Sequence, residues 1–513
     1  MLTFRSSRRL TPFRALAAAI LTLALVVAGC GGSSNSGDAK PASVVPATAP
    51  LYLEATIRPQ GDQKAAIEGI IKKLGGVENP GEQIQKLIDN ASRKSGDKLD
   101  YSKDIEPWLG DRLAIAAPSL RGSGSNQDVA VIIATKDAGK AQDAIDKDKQ
   151  SGAKEQEYNG VKYTLNGDTA EGIVSDFVVI GSEKGFKAIV DGSKGDNLAD
   201  SDAYKNSAAA GGGDQLGLIY LNTRRFIDDL SASGQLSAAQ VDQFKQLAGT
   251  QGTAPVVGSL SAQTDQITLA LTGPAAEAAN VTSQSSVLPA LPAATWLALG
   301  VPKVGASISG QIAKTGGAAS AIESFGNQIK AQTGIDLQRD VFDVLGDMAF
   351  FASGTTVESL NAGAIFDTSS QADGARLVRK LAPLVSRAGA SSGTKVAVVA
   401  GGFSVTSPRL PGKVVVVQRG NKMAIVYGGV DRALDSGQTL ADNPDFRDAA
   451  RAIGAPVTFF LSFGALSAIG EATAGSNPQF SQAKGTLDKL DWLSFGGKAD
   501  GKTQVAKIIL KLK

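Results

Sequence analysis

Residues 99–111, LDYSKDIEPWLGD, recur 236 positions later as residues 335–347, IDLQRDVFDVLGD. Five of the thirteen aligned positions are identical. Other landmarks recur in the same order along the chain: Val45-Pro46-Ala47 as Leu288-Pro289-Ala290, residues 51–54 as residues 296–299, and Leu198-Ala199-Asp200 as Leu440-Ala441-Asp442. Matching landmarks in a preserved order predict that one folding unit is duplicated. We therefore expect two tandem homologous repeats.

Each repeat mixes the sequence periods of strands and helices. Residues 65–74 and 83–90 place their isoleucines and leucines on one helical face. The Asn159-Gly160 pair is typical of a two-residue turn, which joins antiparallel strands. Short β-branched runs of strand length lie at residues 128–134, 177–180, 216–221 and 266–271. The predicted fold class is α+β, each repeat being a largely antiparallel sheet with helices packed on one face.

The first thirty residues have the three zones of a secretory signal peptide. An uncharged apolar run at residues 15–27 leads to Ala28-Gly29-Cys30, and the four residues Arg5, Arg8, Arg9 and Arg14 precede it. The small residues before Cys30 resemble the lipobox of bacterial lipoproteins. This resemblance implies cleavage between Gly29 and Cys30 and a lipid on Cys30 that anchors the protein at the extracytoplasmic face of the cell membrane. The alternative is an uncleaved signal-anchor helix, but about 13 dense apolar residues are short of the ~20 that a span needs.

Composition shifts set the predicted domain boundaries. The stretch GGSSNSGDAKPASVVP after Cys30 has no apolar period and is typical of a flexible tether. Pro, Ala and Ser mark a second break between the repeats. We predict a signal peptide over residues 1–29, the lipidated cysteine and tether over 30–46, repeat 1 over 47–273, a linker over 274–286 and repeat 2 over 287–513.

Composition also excludes several classes of function. Lys plus Arg total 52 and Asp plus Glu total 50, without the basic clusters that neutralise several phosphates, so we expect no nucleic acid partner. The chain has no histidine, which removes His-ligated zinc, His-based triads and histidine acid–base catalysis. Cys30 is the only cysteine, so the chain forms no internal disulfide. We predict a protein that is not an enzyme and binds no cofactor or metal.

Residues 496–503, GGKADGKT, match the phosphate-binding loop pattern. That loop must open a helix whose N-terminal amides hold the phosphate. Here only QVAKIILKLK follows, which has the pattern of a strand, and residues 492–495 form another. We therefore predict a hairpin turn at residues 499–501.

Three other short patterns are interpreted as structural. Lys314-Thr315-Gly316, with Ser-x-x-Lys spacings that begin at Ser151 and Ser481, lacks the Ser-Asp-Asn element and the order of penicillin-recognising enzymes. Residues 389–393, GASSG, lack the histidine and the strand-to-helix context of a nucleophile elbow. Residues 146–157 imitate a calcium loop but have Ser151 where the sharp turn needs glycine, which favours the solvated end of a helix.

Four carboxylates occur at matching places in the two repeats: Asp104, Asp111, Asp340 and Asp347. Two acids at a fixed spacing are suited to acid–base work, but we favour a structural role because a duplicated fold rarely keeps two working sites. The Leu-Gly-Asp steps are typical of a tight turn, in which glycine supplies a positive φ and Asp caps the backbone. Trp108 is predicted to be a core anchor.

Three of these landmarks resemble a bacterial envelope family known as domain of unknown function 3352. They are the strand after Val45-Pro46-Ala47, the step Trp108-Leu109-Gly110-Asp111 and the segment Leu198-Ala199-Asp200. The likeness spans most of the chain after Cys30, although Val344 stands in place of Trp in the second repeat. The resemblance brings no catalytic residue to this sequence.

Together these features predict a membrane-tethered, non-enzymatic envelope lipoprotein that binds an envelope component or a partner protein. The first alternative is a carrier of a lipid or another apolar small molecule, since curved antiparallel sheets can enclose a pocket. The second is a carboxylate-dependent hydrolase. It requires acidic groups from different elements that converge in one cleft with raised pKa values.

Overall fold

The computed structural model describes residues 39–75, 100–121, 128–205, 215–237, 240–241, 254–274, 284–314, 319–356, 358–408, 412–435, 437–475, 477–500 and 503–513. The chain divides into two compact units, Met1–Pro274 (unit 1) and Ala275–Lys513 (unit 2).

The described part of unit 1 contains ten strands and four helices. The strands are β1 Leu51–Thr56, β2 Leu109–Ser119, β3 Asp128–Thr135, β4 Lys154–Tyr158, β5 Val161–Asn166, β6 Thr169–Val174, β7 Phe177–Ser182, β8 Gly217–Leu221, β9 Val256–Gln263 and β10 Gln266–Pro274. The helices are α1 Gly61–Gly75, α2 Ala138–Asp148, α3 Glu183–Lys194 and α4 Thr223–Ala232. All pairs are antiparallel in the order β10-β9-β8-β1-β2-β3-β7-β6-β5-β4.

The described part of unit 2 contains ten strands and seven helices. The strands are β11 Thr295–Val301, β12 Leu345–Ser353, β13 Asn361–Thr368, β14 Lys395–Val399, β15 Gly402–Thr406, β16 Lys413–Arg419, β17 Lys422–Tyr427, β18 Val457–Ser462, β19 Leu490–Asp500 and β20 Thr503–Leu512. The helices are α5 Val304–Lys314, α6 Ala319–Thr333, α7 Gln371–Gly389, α8 Val430–Leu434, α9 Pro444–Ile453, α10 Phe463–Ala474 and α11 Pro478–Leu487. The antiparallel order is β20-β19-β18-β11-β12-β13-β17-β16-β15-β14.

The α+β class and the antiparallel sheets are confirmed. Asn159 and Gly160 both have positive φ, 47° and 76°, as the two-residue turn between β4 and β5 requires. The phosphate-loop look-alike is a hairpin, since Asp500 of β19 pairs with Thr503 of β20. Both units place a π-helical turn before their second strand, Tyr101–Ile105 and Leu337–Phe342, and a 3-10 turn at Leu-Ala-Asp. The tandem duplication itself stays a prediction.

The expectation that helices pack on one face of each sheet is wrong in detail, because helices cover both faces. In β3, Ile132 belongs to the cluster that contains Phe186 of α3, whereas its neighbour Ile133 belongs to the cluster that contains Ile145 of α2. Successive strand residues point to opposite faces, so α2 and α3 lie on opposite sides. The same holds in unit 2, where Val415 packs in the cluster of α9 and Val416 in the cluster of α7.

The end of the predicted tether is folded rather than flexible. Pro41–Val44 form a 3-10 helix whose Ala42 and Val44, with Val45, are buried in the core of unit 1. The carbonyl of Val45 accepts a hydrogen bond from Leu198 N at 2.7 Å, and Pro46 bridges Asn197. Apolar side chains in the stretch ASVVP explain this, because their burial outweighs the flexibility that the surrounding composition suggests. Ala39 also packs against this core, so the predicted tether shortens to residues 31–38, with a root-mean-square reach of roughly 14–17 Å.

The interpretation of the Leu-Gly-Asp steps as tight turns is also wrong. Both steps open a strand, Leu109 starting β2 and Leu345 starting β12. Gly110 is needed for close approach, since a Cβ there would lie 2.7 Å from the carbonyl oxygen of Ala134. Glycine is therefore selected here by packing against the neighbouring strand β3 rather than by a positive φ.

Candidate functional site

The predicted lipid-attachment and cleavage residues, Cys30 and Gly29, lie outside the described residues. Within the described ranges, none of the helices has the length and apolar character to cross a membrane. Candidate sites within the described residues are formed by the side chains of the two folded units.

The repeated carboxylates Asp104 and Asp340 are helix caps. Asp104 Oδ2 accepts a hydrogen bond from the backbone N–H of Asp100 at 2.7 Å, and Asp340 Oδ2 accepts one from Asp336 N–H at 2.8 Å. In return, the side chains of Asp100 and Asp336 accept hydrogen bonds from the third residue of each π-helical turn. These reciprocal bonds satisfy N–H groups that a helix start leaves without partners. The geometry supports the structural interpretation of both carboxylates.

Asp340 has a stronger electrostatic environment than Asp104. Lys380 Nζ lies 2.5 Å from Asp340 Oδ2, and the guanidinium groups of Arg339 and Arg376 lie within 4 Å. Among the described residues, Asp104 forms a salt bridge with Lys147 and is further influenced by the charge of Lys103. Burial by itself would raise the pKa of Asp340, but the hydrogen bonds from Lys380 and from the Asp336 N–H outweigh it. The pKa is lowered to about 2, so Asp340 stays ionised at neutral pH.

Asp347 holds the entry into unit 2 in place. Its carboxylate accepts hydrogen bonds from the backbone N–H groups of Ser286 and Lys303 and from the Ser286 hydroxyl. Burial would raise the pKa of Asp347, but these bonds hold it below its usual value. Ser285 is buried and donates to the carbonyl of Met348. The last two residues of the predicted linker therefore pack in unit 2.

A group of neighbouring carboxylates in unit 2 was not predicted from the sequence. Asp445 and Asp448 lie on α9 and Asp491 lies on β19. Burial raises the pKa of Asp445 and of Asp491, and the neighbouring carboxylates raise both further. The i, i+3 spacing on a strongly amphipathic helix was the available signal. Across the described residues, no group of three or more acidic, His or Cys side chains is placed to hold a metal ion.

An exposed apolar row on the unit 2 sheet is the strongest candidate for a binding site. Leu299 of β11 pairs directly with Phe350 of β12, and their exposed fractions are 40% and 46%. The half-buried Phe459 of β18 continues the row on one side, and the buried Ala364 of β13 continues it on the other. We call these four residues the unit 2 strip.

The strip forms because the central strands are apolar on both faces. Ala298 and Phe351, the strand neighbours of Leu299 and Phe350, are buried in the core on the α9 side of the sheet. Alternation along the strand directs the strip residues to the opposite face, where a solvated antiparallel sheet would carry polar side chains. Exposed apolar residues in adjacent register are a mark of a binding surface.

Unit 1 carries a strip at the same strand positions. Its residues are Ile219 of β8, Leu53 of β1, Ile115 of β2 and Val131 of β3, paired in one row. Ile219 has an exposed fraction of 37%, and the other three are half-buried. Aliphatic residues here replace the phenylalanines of unit 2, so the unit 2 strip offers the larger apolar contact area.

The opposite face of unit 1 contains a buried polar network. Tyr52 donates a hydrogen bond to Glu54 Oε2 at 2.5 Å, and Arg112 pairs with Glu54 Oε1 at 2.6 Å. Tyr204 reaches the same carboxylate, and burial followed by the Glu54 charge raises the pKa of both tyrosines. Both phenols therefore stay protonated and act as hydrogen-bond donors.

Unit 2 has no such network at the corresponding row positions. In the row that the two strips define, Ala298 and Gly300 stand where unit 1 has Tyr52 and Glu54, one residue later than the sequence match of residues 51–54 with 296–299 predicts. An edge-on pair of Phe446 and Phe460, with ring centroids 5.4 Å apart, replaces the pair of Tyr204 and Tyr220 at 5.9 Å. The network is therefore a structural difference between unit 1 and unit 2. Its carboxylate, Glu54, is paired with Arg112 and the two tyrosines.

Fold and surface define a class of protein with two antiparallel α+β units, each with an apolar strip on its central strands. The family described as "Protein of unknown function (DUF3352)" matches residues 15–463, and the chain belongs to this family. No curated protein sequence matches the chain.

Two crystal structures match part of the chain at a low level of similarity. Crystal form IV of TP0453 has a TM-score of 0.26 at 14% identity, with 46% of this chain and 80% of that chain covered. Crystal form III has a TM-score of 0.26 at 13% identity, with 47% and 81% covered. Similarity at this level transfers neither fold nor function.

Proposed function

We propose that the protein is a non-enzymatic envelope lipoprotein, held at the extracytoplasmic face of the membrane by lipid on Cys30. Its unit 2 strip binds the apolar part of an envelope component or partner protein. The direct pairing of Leu299 with Phe350, both more than one third exposed, carries the binding part of the proposal. The signal peptide pattern before Cys30 supports the location.

Binding at the surface agrees better with the packing than does an enclosed carrier. The spaces between sheet and helices are occupied by buried side chains in four clusters, two in each unit. The exposed side chains of Leu299 and Phe350 instead offer an apolar ligand a contact at the surface of the sheet. An acyl chain, or an apolar face of a protein, would find in Phe350 and Phe459 the aromatic anchors that dominate apolar contacts.

The absence of catalysis is part of the same proposal. The repeated carboxylates Asp104 and Asp340 are engaged in caps and ion pairs. The raised pKa values of Asp445 and Asp491 meet one requirement of the hydrolase alternative. Among the described residues, these carboxylates form no group that is placed to hold a metal ion, and we propose binding rather than hydrolysis as the function.

A fluorescent fatty acid titration of the purified mature chain tests the strip. Leu299→Ser/Phe350→Ser is expected to weaken binding by at least tenfold, since each buried apolar side chain contributes roughly 1.5–3 kcal/mol. The matched variant Ile219→Ser in the unit 1 strip controls for a general loss of apolar surface and is expected to change affinity less. Equal binding by the wild type and the double variant would place the ligand elsewhere.

Membrane fractionation with radioactive palmitate tests the anchor separately. Cys30→Ala is expected to remove both the label and the membrane association. Unchanged labelling of this variant would refute lipidation at Cys30 without bearing on the strip.

A further inference from the structure

β14 is the last strand of the unit 2 sheet on one side. Among the described residues it pairs with β15 alone, from Lys395 opposite Thr406 to Val399 opposite Gly402. β4 holds the same place in unit 1, pairing from Lys154 opposite Leu165 to Tyr158 opposite Val161. Both are five-residue strands that lead into a two-residue turn, so their positions correspond one to one.

The two edges differ in charge at matched positions. β4 reads KEQEY and β14 reads KVAVV. Val396 and Val398 therefore stand where unit 1 has Glu155 and Glu157. Val398 has an exposed fraction of 92%. Charged side chains on an edge strand prevent pairing with another chain, and a flat β-branched edge invites it. Unit 1 has the protected edge and unit 2 the unprotected one.

The register of the hairpin identifies which backbone groups of β14 face outward. A two-residue turn leaves the flanking residues Val399 and Gly402 hydrogen-bonded to each other. Bonded and non-bonded positions alternate along an antiparallel pair. The N–H and C=O groups of Val396 and Val398 therefore point away from β15, where an added strand would meet them.

We propose that β14 is a homodimer interface, in which it pairs antiparallel with β14 of a second copy about a two-fold axis at Ala397. This register places Val396 opposite the second copy's Val398, and the reverse, with four backbone hydrogen bonds between the outward-facing groups. A two-fold interface requires such self-complementarity.

Charge and packing favour a second copy as the occupant. In this register Lys395 lies opposite Val399, so no like charges are opposed. The same operation on β4 would place Glu155 opposite Glu157 twice, which is destabilising. Val396 already packs against the cluster of α7, so the exposed Val398 would gain an apolar neighbour on the same sheet face.

Disulfide trapping tests this register. A Cys30→Ala/Ala397→Cys chain has a single thiol, because Cys30 is the only native cysteine. Directly opposed residues have Cβ atoms about 4.5–5.5 Å apart, close to disulfide geometry. Mild oxidation is expected to give a covalent dimer. The matched variant Cys30→Ala/Gln156→Cys, at the middle of β4, is expected to stay monomeric.

Light scattering of the Cys30→Ala chain provides the second readout. A dimer mass is expected, and Val398→Glu, which restores the unit 1 residue, is expected to shift the dissociation constant at least tenfold toward monomer. Because Val398 is exposed, this variant is expected to fold. An unchanged circular dichroism spectrum will show that it does. A monomeric Cys30→Ala chain, or equal trapping at positions 397 and 156, would overturn the proposal. Neither result bears on the binding of apolar ligand by the unit 2 strip.

Discussion

Lys380 Nζ on α7 lies 2.5 Å from Oδ2 of Asp340, whose side chain has an exposed fraction of only 1%. This ion pair ties α7 to the π-helical turn that precedes β12. The corresponding pair in unit 1 joins Lys147 of α2 to Asp104. Each unit therefore uses its repeated carboxylate to fasten a helix to the start of the second strand, with different strength.

Asp340→Asn is expected to destabilise unit 2 by about 1.5–3 kcal/mol, because the buried carboxylate loses its charge-assisted hydrogen bond with Lys380 and its attraction to Arg339 and Arg376. Urea unfolding in a Trp108→Phe background measures this, since Trp296 and Trp492 then report on unit 2. Asp104→Asn, with one partner lysine, is the matched control and should cost less. Equal losses would show that the additional cations around Asp340 contribute nothing.

The same pair predicts a pH dependence. The pKa of Asp340 in the folded chain is about 2, below the ~3.9 of an unfolded aspartate. The stabilisation is therefore fully present above pH ~4 and is lost as pH falls toward 2. Unfolding midpoints of wild type and Asp340→Asn should converge over this range. A constant difference from pH 7 to pH 2 would contradict the assignment.

Gly110→Ala is expected to destabilise unit 1 by roughly 1–3 kcal/mol, the usual cost of overpacking. The added Cβ would lie 2.7 Å from the backbone oxygen of Ala134. Ala134 belongs to the hydrogen-bonded strand β3, so this oxygen cannot move away as the end of a flexible side chain could. At Gly346, the matched position of unit 2, the nearest atom would be 3.4 Å away. Gly346→Ala should therefore be nearly neutral. Unfolding followed by Trp108 fluorescence in a Trp296→Phe/Trp492→Phe background measures the first effect.

The Tyr52 network predicts a non-additive pair of substitutions. Arg112→Met is expected to cost about 3 kcal/mol, because it leaves the Glu54 carboxylate, 7% exposed, without its cation. Glu54→Gln/Arg112→Met removes the buried charge as well and should recover most of that loss. Unit 1 unfolding in a double-mutant cycle with Glu54→Gln measures the coupling. Additive losses would mean that the two side chains do not interact.

Asp445 and Asp491 predict the opposite pH behaviour to Asp340. Their pKa values are raised by burial and by neighbouring carboxylates that include Asp448, against the attraction of Lys513. The folded chain therefore holds protons more tightly, and stability falls as pH rises through the window between the unfolded and folded pKa values. Asp445→Asn should stabilise unit 2 at pH 7 by about 0.5 kcal/mol and have no effect near pH 3.

Asp442→Asn serves as the control for that experiment. The backbone N–H and the hydroxyl of Thr439 hold the pKa of Asp442 below its usual value. Its charge is favourable in the folded chain, so neutralising it should destabilise unit 2 at pH 7. If Asp442→Asn and Asp445→Asn changed the free energy of unfolding at pH 7 in the same direction, the electrostatic explanation for both residues would be refuted.

The sequence predicted the elements and the class of the fold better than the packing. Short β-branched runs and the Asn159-Gly160 turn identified strands and hairpins, because alternation and turn chemistry are local properties. The placement of helices on both faces was not predicted, since it depends on which strands become neighbours. Gly110 was misread for the same reason: its constraint comes from Ala134, which is distant in the sequence.

Some candidate sites were predicted from the sequence, and others became apparent only in the structure. The resemblance to domain of unknown function 3352 is confirmed by the family match over residues 15–463. The structural role of Asp104 and Asp340 followed from their repetition. The strip around Leu299 and Phe350 was not anticipated, because apolar strand residues have the same pattern whether a helix or solvent lies over them. Only the three-dimensional register shows that these side chains remain exposed.

The buried 3-10 helix Pro41–Val44 determines how unit 1 responds to mechanical load. Ala42 and Val45 lie in the core, and the strand-like bridge between Pro46 and Asn197 holds the segment from the other side. Once the predicted tether is extended, a pulling force on the N terminus therefore acts on side chains that are packed in the core of unit 1. Removing Ala42 and Val45 from their packed positions therefore requires the core of unit 1 to open.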